Sequence, residues 1–443
     1  MTEAGQSQEF LEKIFHLTEK GTTIKREILA GITTFVAVAY VIVVIPNIIS
    51  LTGIPKEPVI AATILSTAIT TLMMGLYANC PVALAPGLGG NAFFTYYICG
   101  TLKLPWQTAL GAVFISGMVF LILTVCKARQ AIISSIPDGL KSSIGVGIGL
   151  FIAFIGFKGA GIIVRDEANL MALGSLTAPT TLAATAGLFV TAVLMAKKIN
   201  WAMIAGILFT TVLGMVCGLC PAPKSMADII SFNIPSMAGT FGQLDIAGAV
   251  EYGLFAVIFS FTVADLFDTM GTLIGVTTKA GMVKENGEIE NLDQAMQVDS
   301  VGTILGSIFG VPTVTSYLES VVGVMTGGRT GLTAVVVAVC FFLSIFLAPL
   351  VTLIPGFATA PVLILVGSLM LSGISGIKFD DYTETLPAFM TIIMMPLTSS
   401  IATGFAFGFI SHTVLKVCTG KAGEITPVMW IVSAAFLINL VIR

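Results

Sequence analysis

Apolar residues along this chain run in long uncharged blocks, separated by short breaks of charged residues, glycine and proline. Blocks such as Ile28 to Ile49 and Leu332 to Ile354 reach roughly the 20 apolar residues that a helix needs to cross about 30 Å of hydrocarbon. Reading block by block predicts spans over 25–48, 58–77, 84–99, 106–126, 138–158, 181–196 and 200–219. A second set follows over 247–277, 295–308, 315–325, 331–353, 358–373, 386–417 (interrupted at Pro396) and 425–442. The pattern is that of an all-α membrane protein with fourteen transmembrane segments in two sets of seven.

Two segments depart from ordinary spans. Cys80 to Thr95 reads CPVALAPGLGGNAFFT and Phe309 to Thr326 reads FGVPTVTSYLESVVGVMT. Each has a proline-marked extended stretch followed by a helix too short to cross a bilayer. Extended backbone at membrane depth survives only where protein or a water-filled cavity satisfies its polar groups, so both mark an interior. They occupy the third place in each set, and short interrupted spans at matching positions are the mark of an inverted repeat in secondary transporters. The half-helices are expected to start near Pro86 and Ser316, with facing N-termini that offer free N–H groups and positive dipole ends.

Composition supports lipid as the solvent. The 443 residues are 56% hydrophobic and 10% charged, with a mean hydropathy of +1.00, which leaves a water-soluble fold too little polar surface. A net charge of −3 without a basic stripe argues against nucleic acid as a partner. All seven cysteines lie in or beside apolar blocks and read as packing residues. Cys217 and Cys220 spell C-x-x-C but lack the second ligand pair of a zinc site. The first apolar block follows a polar arm with no small-residue cleavage site, so no cleaved leader is expected. That arm carries Lys13, Lys20, Lys25 and Arg26 and is assigned to the cytoplasm. An even span count then puts both termini there, with Lys127, Arg129, Lys141, Lys197, Lys198, Lys279, Lys284, Arg329 and Lys378. Lys416 and Lys421 go against the rule in this layout.

Ionisable residues inside apolar blocks are expensive and mark sites by default. Asp265 and Asp268 lie three apart in AVIFSFTVADLFDTMGTLIG, on one helical face with Ser260, Thr269 and Thr272 close to it. Either aspartate could instead brace a neighbouring half-helix. Glu319 ends Ser316-Tyr317-Leu318-Glu319, which also fits a capping box. A capping glutamate buried opposite a second acidic helix would be costly, which favours a ligand-facing role. Asn91 sits about one turn into the other half-helix and offers donors and an acceptor, or a helix-to-helix hydrogen bond. His16 lies in the arm and His412 stands alone on its span; both read as structural. No H-E-x-x-H and no Ser-His-Asp set is present, which leaves an intramembrane hydrolase as the weaker, enzymatic alternative.

The motifs APGLGGNAFFTYY, ADLFDTMGTLIGV and TSYLESVVGVMTGGRTGLTAV, with ITTFVAVAYVIVVIPNI in the first span, resemble the AzgA-like purine permeases. These are relatives of the nucleobase–cation symporter 2 group. The resemblance covers essentially the whole chain. It implies a uracil-permease-like inverted repeat in which a core body moves against a gate body, and dimers that pair through the gate. The bodies are a cytoplasmic arm at 1–23, core spans 1–4 at 24–130, gate spans 5–7 with a loop at 131–244, core spans 8–11 at 245–355 and gate spans 12–14 at 356–443. Family binding residues map onto Asn91, Asp265 and Glu319, and Phe93, Thr315 and Ser316 are expected beside them. Asp268 matches a second family acid, expected to support the site or couple protons with Thr269 and Gly89. The segment GVPTVTSYLES departs from the commoner GTSTTTSYIES at Pro312 and Val314, which touches substrate preference.

A purine is a flat heterocycle whose N–H edge suits carboxylates and whose carbonyl or ring nitrogen suits an amide. No Walker motif is present, so the drive is expected from an ion gradient, with H+ as the coupling ion and Na+ as the alternative. No other cofactor or metal is expected. The expectation is therefore a proton symporter for adenine, guanine, hypoxanthine or xanthine in the inner (cytoplasmic) membrane, with a carrier of another nucleobase or a nucleoside as the alternative.

Overall fold

The computed structural model describes residues 3–128, 135–253, 255–283 and 289–442; Arg129, Lys284 and the body boundary at 130–131 lie outside the described residues. Among the described residues, nine helices are long and apolar enough to cross a membrane, from Ile24–Thr52 to Ile401–Cys418. Spans 1, 2 and 4 are Ile24–Thr52, Lys56–Leu76 and Trp106–Val125. Spans 5, 6 and 7 are Asp138–Gly159, Pro179–Ala196 and Ala202–Val216. Spans 8, 9, 11 and 12 are Phe255–Ala280, Leu292–Phe309, Gly331–Leu353 and Gly356–Gly376.

The two irregular segments form as extended stretches before short helices. Strand β1 (Leu84–Pro86) leads into helix Leu88–Ala92, which continues as a π-helix over Phe93–Thr101 to complete span 3. Between spans 5 and 6, β2 (Ile163–Asp166) and β3 (Leu170–Leu173) make a hairpin. Strand β4 (Val314–Ser316) precedes helix Ser320–Met325, which is span 10. The helices thus begin two and four residues beyond the expected Pro86 and Ser316. Proline cannot supply an interior N–H, and Ser316 is taken up by pairing and by a side chain described below. β1 and β4 pair with each other, Leu84 with Ser316, Ala85 with Thr315 and Pro86 with Val314. The backbone groups that could not be left bare in an apolar interior therefore satisfy one another.

The end of the chain differs from the expected layout. In place of one interrupted span over 386–417 there are two helices, Tyr382–Thr398 (span 13) and Ile401–Cys418 (span 14). Ser399 takes a positive φ of 51° and Ser400 caps the second helix through Thr403 N–H, so the chain reverses within two residues. The helices pack back to back, because side chains at Gly404 and Gly408 would overlap Met395 and Thr391. Glu384 at the start of one helix meets Lys416 at the end of the other at 3.2 Å. Lys416 and Lys421 thereby return to the face that carries Lys378 and Asp138–Lys141, and their apparent conflict with the charge rule disappears. Helix Pro427–Ile442 is a further element: it starts beside Ser135, which accepts from Thr426 Oγ1, and climbs along span 14 to stack Phe436 on Phe409 and meet Phe259 edge-on.

Spans 1, 2, 4, 9 and 11 pack on one another around β1 and β4, while spans 5, 6, 12, 13 and 14 form a second packed group. In the first group, Glu27 of span 1 is wholly buried and accepts from Arg329 N–H and from the Thr333 hydroxyl of span 11. The arm is not a free tail: Phe15 and Leu17 are buried against Leu332, and Lys20 pairs with Glu290. The loop after span 7 leaves the second group and bonds to the first, with Ser231 N–H on Phe346 O, Gly242 N–H on Ile308 O and Asp245 N–H on Gln107 O.

Candidate functional site

The crossing of the two half-repeats needs close backbone approach, and glycine supplies it. A methyl at Gly90 would overlap the Thr313 hydroxyl, and one at Gly89 would press on Ile148 of span 5. Asn91, at 0% exposure, donates through Nδ2 to Gly87 O at 2.6 Å and to Thr313 O at 3.4 Å. It therefore ties span 3 to the lead-in of span 10, while its buried Oδ1 has no partner among the described residues. Phe93 stacks on Tyr97 and meets Phe261 edge-on, each with centroids 5.1 Å apart, forming an aromatic wall between spans 3 and 8.

The capping box that the spacing of Ser316 and Glu319 allows, as the alternative to a ligand-facing Glu319, does not form. Ser316 gives both its N–H and its hydroxyl to Asp299 Oδ1, at 2.8 and 2.7 Å, and Glu319 makes no capping bond. Glu319 is instead held by the Tyr40 hydroxyl of span 1, which donates to its Oε1 at 2.7 Å. Tyr317 anchors the same turn by donating to Pro86 O at 2.6 Å.

The acidic residues fall into two tiers. Glu319 and Asp268 are half-buried and lie within each other's field, with Thr315 beside Asp268. Asp265 is 3% exposed and Asp299 0% exposed. Asp265 accepts from Thr303 at 2.7 Å, and Asp299 from Thr269 at 2.6 Å. The structure thus groups Glu319 with Asp268 and Thr315, and places Asp265, Thr269 and Ser316 with Asp299 in the layer behind. Strand alternation explains the split, since residues two apart share a face. Val314 and Ser316 face span 9, while Thr315 faces Asp268. Val314 fills the space over Gly302 and Gly306, so this departure from the commoner motif packs against span 9 and not toward Asp268.

Asp299 and Tyr40 are absent from the sequence-derived site. Asp299 lies in the apolar block 295–308 and meets the same test that singles out Asp265. Tyr40 carries no such signal. His412 does not stand alone, since its Nε2 lies 3.5 Å from Glu384 in the second group. Among the described residues no cluster of His, Cys, Asp or Glu could hold a metal ion.

Residues 25–407 match the Permease family. Adenine permease AdeP of Escherichia coli (strain K12) is 43% identical over 434 residues, covering 98% of this chain and 96% of that protein. Guanine/hypoxanthine permease PbuO of Bacillus subtilis (strain 168) is 41% identical over 437 residues, covering 97% and 100%. Among solved structures, the transmembrane domain of a cyanobacterium bicarbonate transporter, BicA, is similar with a TM-score of 0.62 at 14% identity. That likeness covers 86% of this chain and 97% of that one, and it is one of fold. An apolar multi-span fold shared with solved transporters and whole-length similarity to permeases bear out the resemblance drawn from the motifs: the chain belongs to the Permease family, as a multi-pass membrane transporter and not an enzyme.

Proposed function

We propose that the protein imports purine nucleobases by proton symport, with a core body that carries the cargo past a gate body. The observation that carries this reading is the Glu319–Asp268 pair, half-buried at the crossing of the half-repeats and braced by Tyr40 and Thr315. Whole-length likeness to adenine and guanine/hypoxanthine permeases gives the cargo class. Carboxylates accept from the N–H edge of a purine, and each such bond contributes about 1.5–3 kcal/mol net. Two or three of them account for micromolar binding after ordering costs. Asn91 Oδ1 is a further acceptor, and Phe93 with Tyr97 supplies an apolar wall for a flat ring. In this reading Glu319 and Asp268 meet the cargo, and Asp265 exchanges roles with Asp268, because only the latter shares the half-buried tier with Glu319.

The core comprises 24–130 and 245–355 and the gate 131–244 and 356–443, with the loop after Met226 moving with the core, to which it is bonded. The lysine-bearing face is cytoplasmic in an inner membrane, and the arm lies there with the core. Helix Pro427–Ile442 begins on that face and climbs toward the other, so the C-terminus lies away from the arm and not beside it, as first expected. Gate bodies pair in a homodimer. The reading is tested with purified protein in detergent and in proteoliposomes. Hypoxanthine or adenine is expected to raise the unfolding temperature where uracil and nucleosides do not, and uptake is expected to collapse with a protonophore. Stabilisation by uracil alone overturns the cargo; uptake driven by sodium without a pH gradient overturns the coupling.

A further inference from the structure

We propose that the coupling proton resides on a carboxylate pair behind the cargo site, Asp265 with Asp299, and that strand β4 relays its presence to the cargo. This rests on the symport reading above and gives its proton an address.

Spans 8 and 9 run antiparallel where they meet, and each carries an aspartate with a threonine four residues after it. Asp265 and Thr269 face Thr303 and Asp299, and each threonine donates across to the other helix's aspartate at 2.7 and 2.6 Å. The crossed pairing sets the two carboxylates about one helical turn apart, on the order of 6 Å. Both are more than nine-tenths buried, and Asp265 Oδ1 points into this interior with no hydrogen-bond partner among the described residues. Buried charges are paired or neutralised, because an isolated carboxylate in low dielectric is too costly.

Among the described residues no cation does the pairing. The titratable group beside the pair is Asp268 on the same helix as Asp265, and Tyr317, Glu319 and Tyr40 lie one step further, around Asp268. Span 4 carries no titratable side chain, and span 3 offers only Tyr96, Tyr97 and Cys99. Span 2 has Lys56 and Glu57 in its first turn alone, where Lys56 donates to Thr352 O and Ile354 O. Asp293 sits in the first turn of span 9. Span 5 bears the Asp138–Lys141 pair at its start and Lys158 over the Tyr96 ring, and on span 14 His412 and Lys416 engage Glu384. An unpartnered oxygen beside a second carboxylate, with no counter-charge, is a seat for a proton.

The pair is wired to the cargo tier through β4. Asp299 Oδ1 holds the N–H and hydroxyl of Ser316, and Thr303 Oγ1 lies on both the N–H and the carbonyl of Val314. The residue between them, Thr315, lies against Asp268 on the other face. A proton arriving on the pair converts an acceptor oxygen to a hydroxyl and alters what holds both ends of the strand. Thr315 and the Glu319 turn then shift with it. The proton enters and leaves with the cargo, and no bond other than O–H is made or broken.

The test uses full-length protein, with radiolabelled hypoxanthine as the probe. Native protein is expected to bind more weakly on one side of a pH midpoint and to accumulate the probe down an imposed pH gradient. Asp299→Asn keeps the shape but cannot titrate, and is expected to lose gradient-driven accumulation and flatten the pH dependence of binding. Thr269→Val and Thr303→Val, each short of one donor, are expected to shift the pH midpoint in protein that unfolds at near-native temperature. A native midpoint in both threonine variants, or native accumulation by folded Asp299→Asn, overturns the pair. Native protein that ignores the pH gradient overturns the symport reading, and the pair with it; native protein that follows the gradient alongside an equally competent Asp299→Asn overturns the pair alone.

Discussion

Glu319 shows how a local motif loses to a tertiary neighbour. Its spacing from Ser316 fits a capping box, but Asp299 offers Ser316 a charged acceptor for two donors at once, and hydrogen bonds to charged groups are the stronger kind. Glu319 is left free of the helix end and is taken by Tyr40. Tyr40→Phe keeps the ring and removes only the donor, so it is expected to weaken hypoxanthine binding by about 1.5–3 kcal/mol in a calorimetric titration. Unchanged affinity would mean that Glu319 does not meet the cargo in this orientation. Asn91→Ala is expected to cost about 1–3 kcal/mol of binding if Oδ1 accepts from the cargo. Should only the unfolding temperature fall, Asn91 is a tie between Gly87 and Thr313 and no more. The rule that ionisable residues in apolar blocks mark sites exposes Asp265, Asp268 and Glu319, and it applies equally to Asp299. Tyr40 was not legible, because a tyrosine in an apolar block is ordinary and its partner lies 279 residues away.

At the scale of elements, the extended stretches were readable because proline and glycine punctuate them, but their mutual pairing was not, since nothing local links residue 84 to residue 316. Spans 13 and 14 were misread for the opposite reason. The reversal at Ser399–Ser400 uses two small polar residues inside an apolar run, and Pro396 marks the place without revealing a turn. The packing of this hairpin is tight enough to test. Gly404→Leu places a side chain against Met395 and the carbonyl of Thr391, and overpacking of this kind costs about 1–3 kcal/mol. A lower unfolding temperature in detergent is expected, and a native value would place the two helices further apart. The same fold-back predicts the sidedness of the chain. Lys421→Cys and Lys20→Cys are expected to react with a membrane-impermeant thiol reagent from one and the same side, whereas labelling from opposite faces removes the hairpin.

For the whole molecule, the binding elements lie in the first packed group, and the second group meets them through a continuous apolar core in which span 5 touches spans 3 and 8, span 14 touches span 8 and span 12 touches span 1. One of these contacts lies where span 3 meets span 5. Gly89 lets the half-helix rest on Ile148, and any side chain at position 89 would push on that β-branched residue and on Ile152 beyond it. If the core slides along the gate during transport, this contact exists in the present arrangement and breaks in others, so a bulky residue there biases the equilibrium against the present arrangement. Gly89→Val also strains the packing of the core itself only slightly, because its neighbours at that position come from the gate. Hypoxanthine binding is therefore expected to survive, while exchange in counterflow falls by about tenfold or more, since roughly 1.4 kcal/mol of bias changes a population tenfold. Equal losses of binding and exchange would place Gly89 in the cargo site proper, and native exchange would mean that the two bodies keep this contact throughout the cycle and the core does not move there.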